Sequence, residues 1–139
     1  MELRLQMAVV MLYVFAACII LFGLVYLISP RIMPYHERFI GRKFEDLKKQ
    51  DPKMAALSVA SLKVVGALAI AMGIGFVMMI RFQFSRGDAY SWWIILVMSL
   101  VAFIPIAVVS FSIGGLRSPP GWIIATCILV MSVAMAISF

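Results

Sequence analysis

Residues 7–28 read MAVVMLYVFAACIILFGLVYLI, a run of 22 residues without a charged side chain. At ~1.5 Å per helical residue this run is about 33 Å long, enough to cross a hydrocarbon core of ~30 Å. The run therefore predicts a transmembrane helix. Tyr26 lies near its end, where aromatic rings meet lipid headgroups, and Pro30 and Pro34 stop the helix.

The composition of the whole chain agrees with a membrane location. Of its 139 residues, 65% are hydrophobic and 13% are charged, whereas an average soluble domain has about 25% charged residues. A soluble domain of this length would expose large apolar patches. A bilayer is therefore the expected solvent, and the length predicts a single transmembrane domain, 1–139.

Three further apolar segments predict spans at 55–80, 91–113 and 121–139. The expected fold class is an all-α integral membrane protein, a four-helix transmembrane bundle. Asp51 and Asp88 are the expected N-caps of the second and third spans. Lys63 is the one charge in the second segment, and we expect it near a membrane face, where its stem can reach the headgroups.

Other residues in these segments predict anchors, a kink and helix contacts. Aromatic side chains at interfaces anchor a span, and the predicted anchors are Tyr90, Trp92, Trp93 and Trp122. Pro105 predicts a kink in the third span. Small residues let helices approach in lipid, and those of the second span are Gly66, Ala67, Ala71, Gly73 and Gly75. They predict a central helix with neighbours on at least two sides. Glycines that line a substrate path are the alternative.

The segment SPRIMPYHERFIGRKFEDLKKQDPK, residues 29–53, differs from everything around it. It contains seven of the twelve Lys and Arg residues, four of the six acids and the single histidine. Between about 34 and 50 the pattern predicts a cationic, amphipathic segment in the membrane interface. Its apolar stripe consists of His36, Ile40, Phe44 and Leu47. Gly41 weakens a helix here, so two shorter pieces are the alternative.

The distribution of basic residues predicts the orientation. Loop 29–53 has seven Lys and Arg residues and Arg117 makes eight, against three on the other side, namely Arg4, Arg81 and Arg86. Loops 29–53 and 114–120 are therefore expected in the cytoplasm, with both termini outside a bacterial inner membrane. The net charge of +6 is concentrated beside the spans, which favours anionic lipid headgroups over nucleic acid as the partner.

The stretch ISPRIMPYHERFIGRKFEDL, residues 28–47, resembles a segment of uncharacterised bacterial membrane proteins, the DUF4345/DUF4267-like group. The elements that carry the resemblance are 33–36 (MPYH) and 44–47 (FEDL). The Gly-rich second span and the turns SRGDAYSWW and RSPPGW are also similar, and DoxX-like proteins are more distantly so. The resemblance implies a four-helix inner-membrane protein without catalytic residues to carry over. Some DoxX-like proteins are linked to quinone or thiol redox chemistry.

Three functions remain open at this point. The first is a non-catalytic accessory or scaffold subunit that packs against lipid, other membrane subunits or further copies of itself. The second is a quinone- or lipid-binding redox helper, with Tyr35, His36 and Lys63 as candidate binding residues. The third is an oligomeric small-solute transporter, ranked last because the spans lack an ionisable group at mid-membrane.

No catalytic residue, metal site or resident cofactor is predicted, although bound quinone or lipid stays open. A haem with two histidine ligands is excluded by the single histidine, and an iron–sulfur cluster by two well-separated cysteines. Cys18 and Cys127 are expected to be small buried hydrophobes.

Overall fold

The computed structural model describes residues 3–114 and 119–138, and these residues are almost wholly helical. Within them lie six α-helices and a 3-10 turn at Phe84–Arg86. The helices are α1 Leu3–Ile28, α2 Pro34–Ile40, α3 Phe44–Gln50, α4 Pro52–Phe82, α5 Ala89–Gly114 and α6 Pro119–Ile137. Arg117, the middle of the predicted loop 114–120 and the last residue of the predicted fourth span lie outside the described residues.

Three of the described helices, α1, α4 and α5, are long and apolar enough to cross a membrane. The described apolar part of α6 runs over Gly121–Ile137. These 17 residues correspond to about 25 Å of helix. The chain is therefore a helical membrane protein with at least three helices of membrane-crossing length. The fourth crossing stays a prediction.

The two predicted caps explain where the long helices begin. The Oδ1 atom of Asp51 accepts a hydrogen bond from the backbone N–H of Met54 at 3.0 Å, and Pro52 occupies the first turn of α4. Before α5, Gly87 has a left-handed backbone (φ 75°) that reverses the chain. Asp88 then accepts from the N–H of Ser91 at 3.2 Å. Both caps satisfy N–H groups that the first helical turn leaves unpaired.

Helix α1 lies between two others, packing along most of α4 on one side and against α6 on another. Helix α5 packs on α6 and touches α4 only slightly. The second span was predicted to be central, but its main neighbour among the long helices is α1. Helix α5 runs through Pro105 as one continuous helix, and the kink there stays a prediction.

The contact between α1 and α4 depends on glycines from both helices. A Cβ placed at Gly66 would lie 2.6 Å from the carbonyl oxygen of Gly23 and 2.7 Å from the N of Leu27. A Cβ at Gly73 would lie 2.5 Å from Cγ1 of Ile20. The two backbones therefore nearly touch, as small residues allow in lipid.

The second stripe of small residues on α4 has no such contact. Ala67 and Ala71 are exposed, and a Cβ at Gly75 would meet no described atom within 4 Å. The predicted packing residues therefore divide into a covered pair, Gly66 and Gly73, and an uncovered stripe, because α1 covers only one side of α4.

One apolar core joins α1, α4, α5 and α6. At its centre the Phe15 ring meets Phe76 edge-on, with 5.6 Å between ring centroids, and Phe103 at 5.4 Å. Phe76 is fully buried. Aromatic rings at these separations attract each other beyond the area they bury. A smaller cluster of Ile32, Phe44 and Ala55 holds α3 against the start of α4.

Candidate functional site

The charged segment between α1 and α4 is a pair of short helices. Helix α2 ends at Gly41, whose left-handed backbone (φ 71°) lets its N–H donate to the carbonyl of Glu37. The Oε1 atom of Glu37 accepts from the N–H of Phe44 at 3.0 Å and so caps α3. A single helix over 34–50 is therefore wrong, and the two-piece alternative is confirmed. The reason is the αL cap, a conformation that glycine adopts without steric cost.

The apolar stripe predicted for this segment is only partly covered. Phe44 is buried and Leu47 is half-buried against the start of α4, whereas Ile40 is exposed. At the outer side, Nη1 of Arg42 donates to Oε1 of Gln50 at 2.9 Å and ties the two ends of the α3 region together. Helix α3 is thus held in place by packing, and its basic residues, Lys48 and Lys49, are exposed.

Two of the three predicted binding residues, Tyr35 and His36, lie together beside the end of α1. The hydroxyl groups of Tyr35 and Tyr26 are hydrogen-bonded to each other. The Tyr35 and His36 rings lie 4.2 Å apart between centroids. Tyr26 was expected only as an interfacial ring. Helical spacing does not predict the contact between Tyr26 and Tyr35, because the turn through Pro30 and Pro34 brings the two residues together.

His36 contributes an unpaired polar atom to this cluster. Its Nδ1 atom is buried, and no described atom forms a hydrogen bond with it. Partial burial lowers the pKa of His36, because desolvation disfavours the charged imidazolium. The imidazole is therefore neutral at pH 7 and offers one donor and one acceptor at the end of α1.

The lowered pKa of His36 predicts a pH-dependent stability. The folded protein binds fewer protons than the unfolded chain once the pH falls below the ordinary histidine value of ~6.5. Stability should therefore be level above that pH and decrease as the pH falls toward the lowered folded-state pKa. Thermal unfolding in detergent at pH 8.0 and pH 5.5 checks this. His36→Gln should show a smaller decrease, and equal decreases in both proteins would contradict the assignment.

Lys63, the third predicted residue, lies at a different place. It lines a groove of about 380 Å³ between α3 and α4, together with Lys48. Tyr35 and His36 do not line this groove. The structure therefore divides the predicted binding residues between two locations. The sequence signal for Lys48 was only its membership in a basic segment, which does not distinguish it from Lys49.

A second, apolar cavity of about 290 Å³ opens among the long helices. Its walls come from α1, α4, α5 and α6. Cys18 and Cys127 both line it. The prediction that both cysteines are buried is wrong for Cys18, which is exposed, because this side of α1 faces the opening. The apolar members of the lining include Phe22, Leu68, Met72, Phe103 and Ile124.

The predicted aromatic anchors divide between surface and interior. Tyr90, Trp93 and Trp122 are exposed, as rings in contact with headgroups would be. Trp92 is half-buried, and its Nε1 donates to the carbonyl of Met135 at 3.3 Å. This bond links the start of α5 to the end of α6.

The chemistry available in the described residues is limited. They contain no group of three His, Cys, Asp or Glu side chains arranged to hold a metal ion. Comparisons with protein-family models, with curated proteins and with solved structures found no match to this chain. The candidate sites therefore rest on their own geometry: a Tyr26–Tyr35–His36 cluster, a groove with two lysines and an apolar cavity.

Proposed function

We propose that this chain is a non-catalytic accessory or scaffold protein of a bacterial inner membrane, built as a four-span bundle. The observation that carries the proposal is the small buried share of its spans. Only 22% of the most apolar window of α4 and 17% of that of α5 are buried within the chain. Most of their surface must be covered by lipid or by other membrane helices, since water cannot cover it at acceptable cost.

The uncovered stripe of α4, Ala67, Ala71 and Gly75, supports a helix partner over lipid alone. Small side chains let a second backbone approach closely, and in lipid such packing is the main source of helix association. The partner is another membrane subunit or a second copy of this chain. Lipid covers the remaining apolar surface, such as that around Val101, which is 70% exposed.

The orientation we propose follows from charge. With loops 29–53 and 114–120 in the cytoplasm, eight basic residues lie inside and three outside. The Tyr26–Tyr35–His36 cluster and the groove with two lysines then lie at the cytoplasmic face. Membership in the DUF4345/DUF4267-like group, with DoxX-like proteins as more distant relatives, is proposed on the resemblance alone.

Purification in a mild detergent, followed by native mass spectrometry, tests the accessory role. The wild-type chain should co-purify with a second membrane subunit or be recovered as an oligomer. Ala71→Leu should lose at least about tenfold of that association, because it places a large side chain where backbones approach. Ala17→Leu makes the same exchange at an exposed position of α1 and should keep the association. A wild-type monomer that carries only lipid would refute the proposal.

The apolar cavity favours a second candidate, binding of a quinone tail or an acyl chain without turnover. Its walls are almost entirely hydrocarbon apart from the thiols of Cys18 and Cys127, and neither Tyr35 nor His36 lines it. Ala69→Leu would fill the cavity from α4. It should remove co-purified quinone or lipid that the wild-type protein retains, and unchanged retention would exclude this candidate.

A further inference from the structure

The groove between α3 and α4 combines two lysines with an apolar floor. Phe44 and Lys48 lie one turn apart on α3, and α4 supplies the other wall. Three of the residues in this wall are alanines, and their small side chains leave space for a ligand. The residues that line the groove on the α4 side are Pro52, Ala55, Ala56, Val59, Ala60 and Lys63.

The two lysines are available to a ligand. Both are exposed, and no acidic residue lines the groove. Within residues 3–114 and 119–138, neither lysine forms an ion pair or a side-chain hydrogen bond with another residue. Two free ammonium groups above a hydrocarbon floor complement a ligand with a negative head and an apolar tail.

We propose that this groove is a discrete binding site for one anionic phospholipid. The phosphate lies between the ammonium groups of Lys48 and Lys63, and the glycerol part of the lipid packs on the apolar floor beside Ala60. From there an acyl chain continues past Lys63 into the bilayer. This site depends on the proposed function in one respect only: this end of the bundle must lie at the headgroup layer of the membrane. A free phosphate would satisfy the lysines and leave the apolar floor exposed to water, so the proposal commits to the lipid.

A matched pair of double variants tests the site. Lys48→Ala with Lys63→Ala removes the two groove lysines. Lys49→Ala with Lys53→Ala removes two exposed lysines of the same segment that do not line the groove. Both pairs lower the net charge by two, so a general attraction to anionic lipid is reduced equally. The groove pair alone also loses two direct, charge-assisted contacts to the phosphate, so it should weaken lipid retention at least about tenfold more than the control pair.

The measurement uses the full chain in nanodiscs of phosphatidylcholine with a minor share of phosphatidylglycerol, followed by native mass spectrometry in detergent. Wild-type protein and the control pair should keep one phosphatidylglycerol, and the groove pair should not. Ala60→Leu fills the groove without altering charge and should reduce retention about tenfold. All variants should insert into nanodiscs.

Several outcomes would overturn the site. They are equal losses in the two lysine pairs, retention of phosphatidylcholine as strongly as phosphatidylglycerol, unchanged retention in Ala60→Leu, and displacement of the lipid by millimolar inorganic phosphate. These results are independent of the accessory role, because partner association is measured with Ala71→Leu in a separate preparation. A chain that keeps its partner and lacks a bound phosphatidylglycerol would disprove the lipid site alone.

Discussion

Gly66→Ala should destabilise the protein more than any other exchange of one glycine for alanine in α4. The new methyl group would lie 2.6 Å from one backbone atom of α1 and 2.7 Å from another. Backbone atoms cannot rotate away as a side chain can, so α1 and α4 must separate along much of their contact. Overpacking of this kind costs about 1–3 kcal/mol, and we expect the upper end of that range or more.

Two other glycines of α4 provide matched comparisons for Gly66. At Gly73 the nearest atom, at 2.5 Å, belongs to the flexible side chain of Ile20, which can shift. At Gly75 a Cβ meets nothing within 4 Å, so alanine should be neutral or slightly stabilising through its helix propensity. The expected order of unfolding free energy is therefore Gly75→Ala, then Gly73→Ala, then Gly66→Ala as the least stable.

Unfolding in mixed micelles with increasing denaturing detergent, monitored by circular dichroism, measures this order. Gly66→Ala and Gly75→Ala exchange the same residue types on the same helix, so differences in intrinsic helix propensity cancel. Equal stabilities of these two variants would show that α1 and α4 do not approach at Gly66. The distinction between the covered pair and the uncovered stripe of α4 would then be wrong.

The sequence was sufficient to predict helices and their capping residues. Long uncharged runs leave few alternatives to a membrane helix, since every backbone group must be satisfied within the segment. Asp51 and Asp88 precede such runs, and both accept a hydrogen bond from the first turn of the helix that follows. These features are local, so they depend little on how the helices are arranged.

The arrangement of the helices was less predictable. In a soluble helix the apolar stripe shows which face is buried, but apolar residues here surround each helix because lipid accepts them. Two small-residue stripes on α4 were therefore equivalent in sequence. Only the close approach of α1, to Gly66 at Gly23 and to Gly73 at Ile20, sets one stripe apart from the other. For the same reason, no pattern in the sequence indicated that α1 would lie between α4 and α6.

The candidate site was predictable only in part. The basic segment indicated an interface and included Tyr35, His36 and Lys63, but it could not show that Lys63 lies with Lys48 in a separate groove. That grouping depends on the break at Asp51, where the chain passes from α3 into α4 in a non-helical conformation. The contact of Tyr26 with Tyr35 likewise depends on the turn between α1 and α2.

Phe76→Ala should have the second largest effect, because Phe76 fills the space between α1 and α4 at the centre of the core. Its side chain is fully buried, and its ring meets that of Phe15. In water such a truncation costs about 3–5 kcal/mol, the sum of a transfer term and a cavity term. In a bilayer the transfer term is small, because the phenyl ring is also well solvated by lipid when the helices separate. Lost packing contacts and the unfilled cavity remain.

We therefore expect Phe76→Ala to lower the free energy of unfolding by about 3 kcal/mol, the low end of the range measured in water. Phe82→Ala is the matched control, since Phe82 lies on the same helix and is 56% exposed. Its loss should change stability by less than about 0.5 kcal/mol. The same unfolding assay measures both variants. If Phe82→Ala proved as costly as Phe76→Ala, the side of α4 that carries Phe82 would be an interface too, and the core centred on Phe15 would not be the principal contact holding α1 against α4.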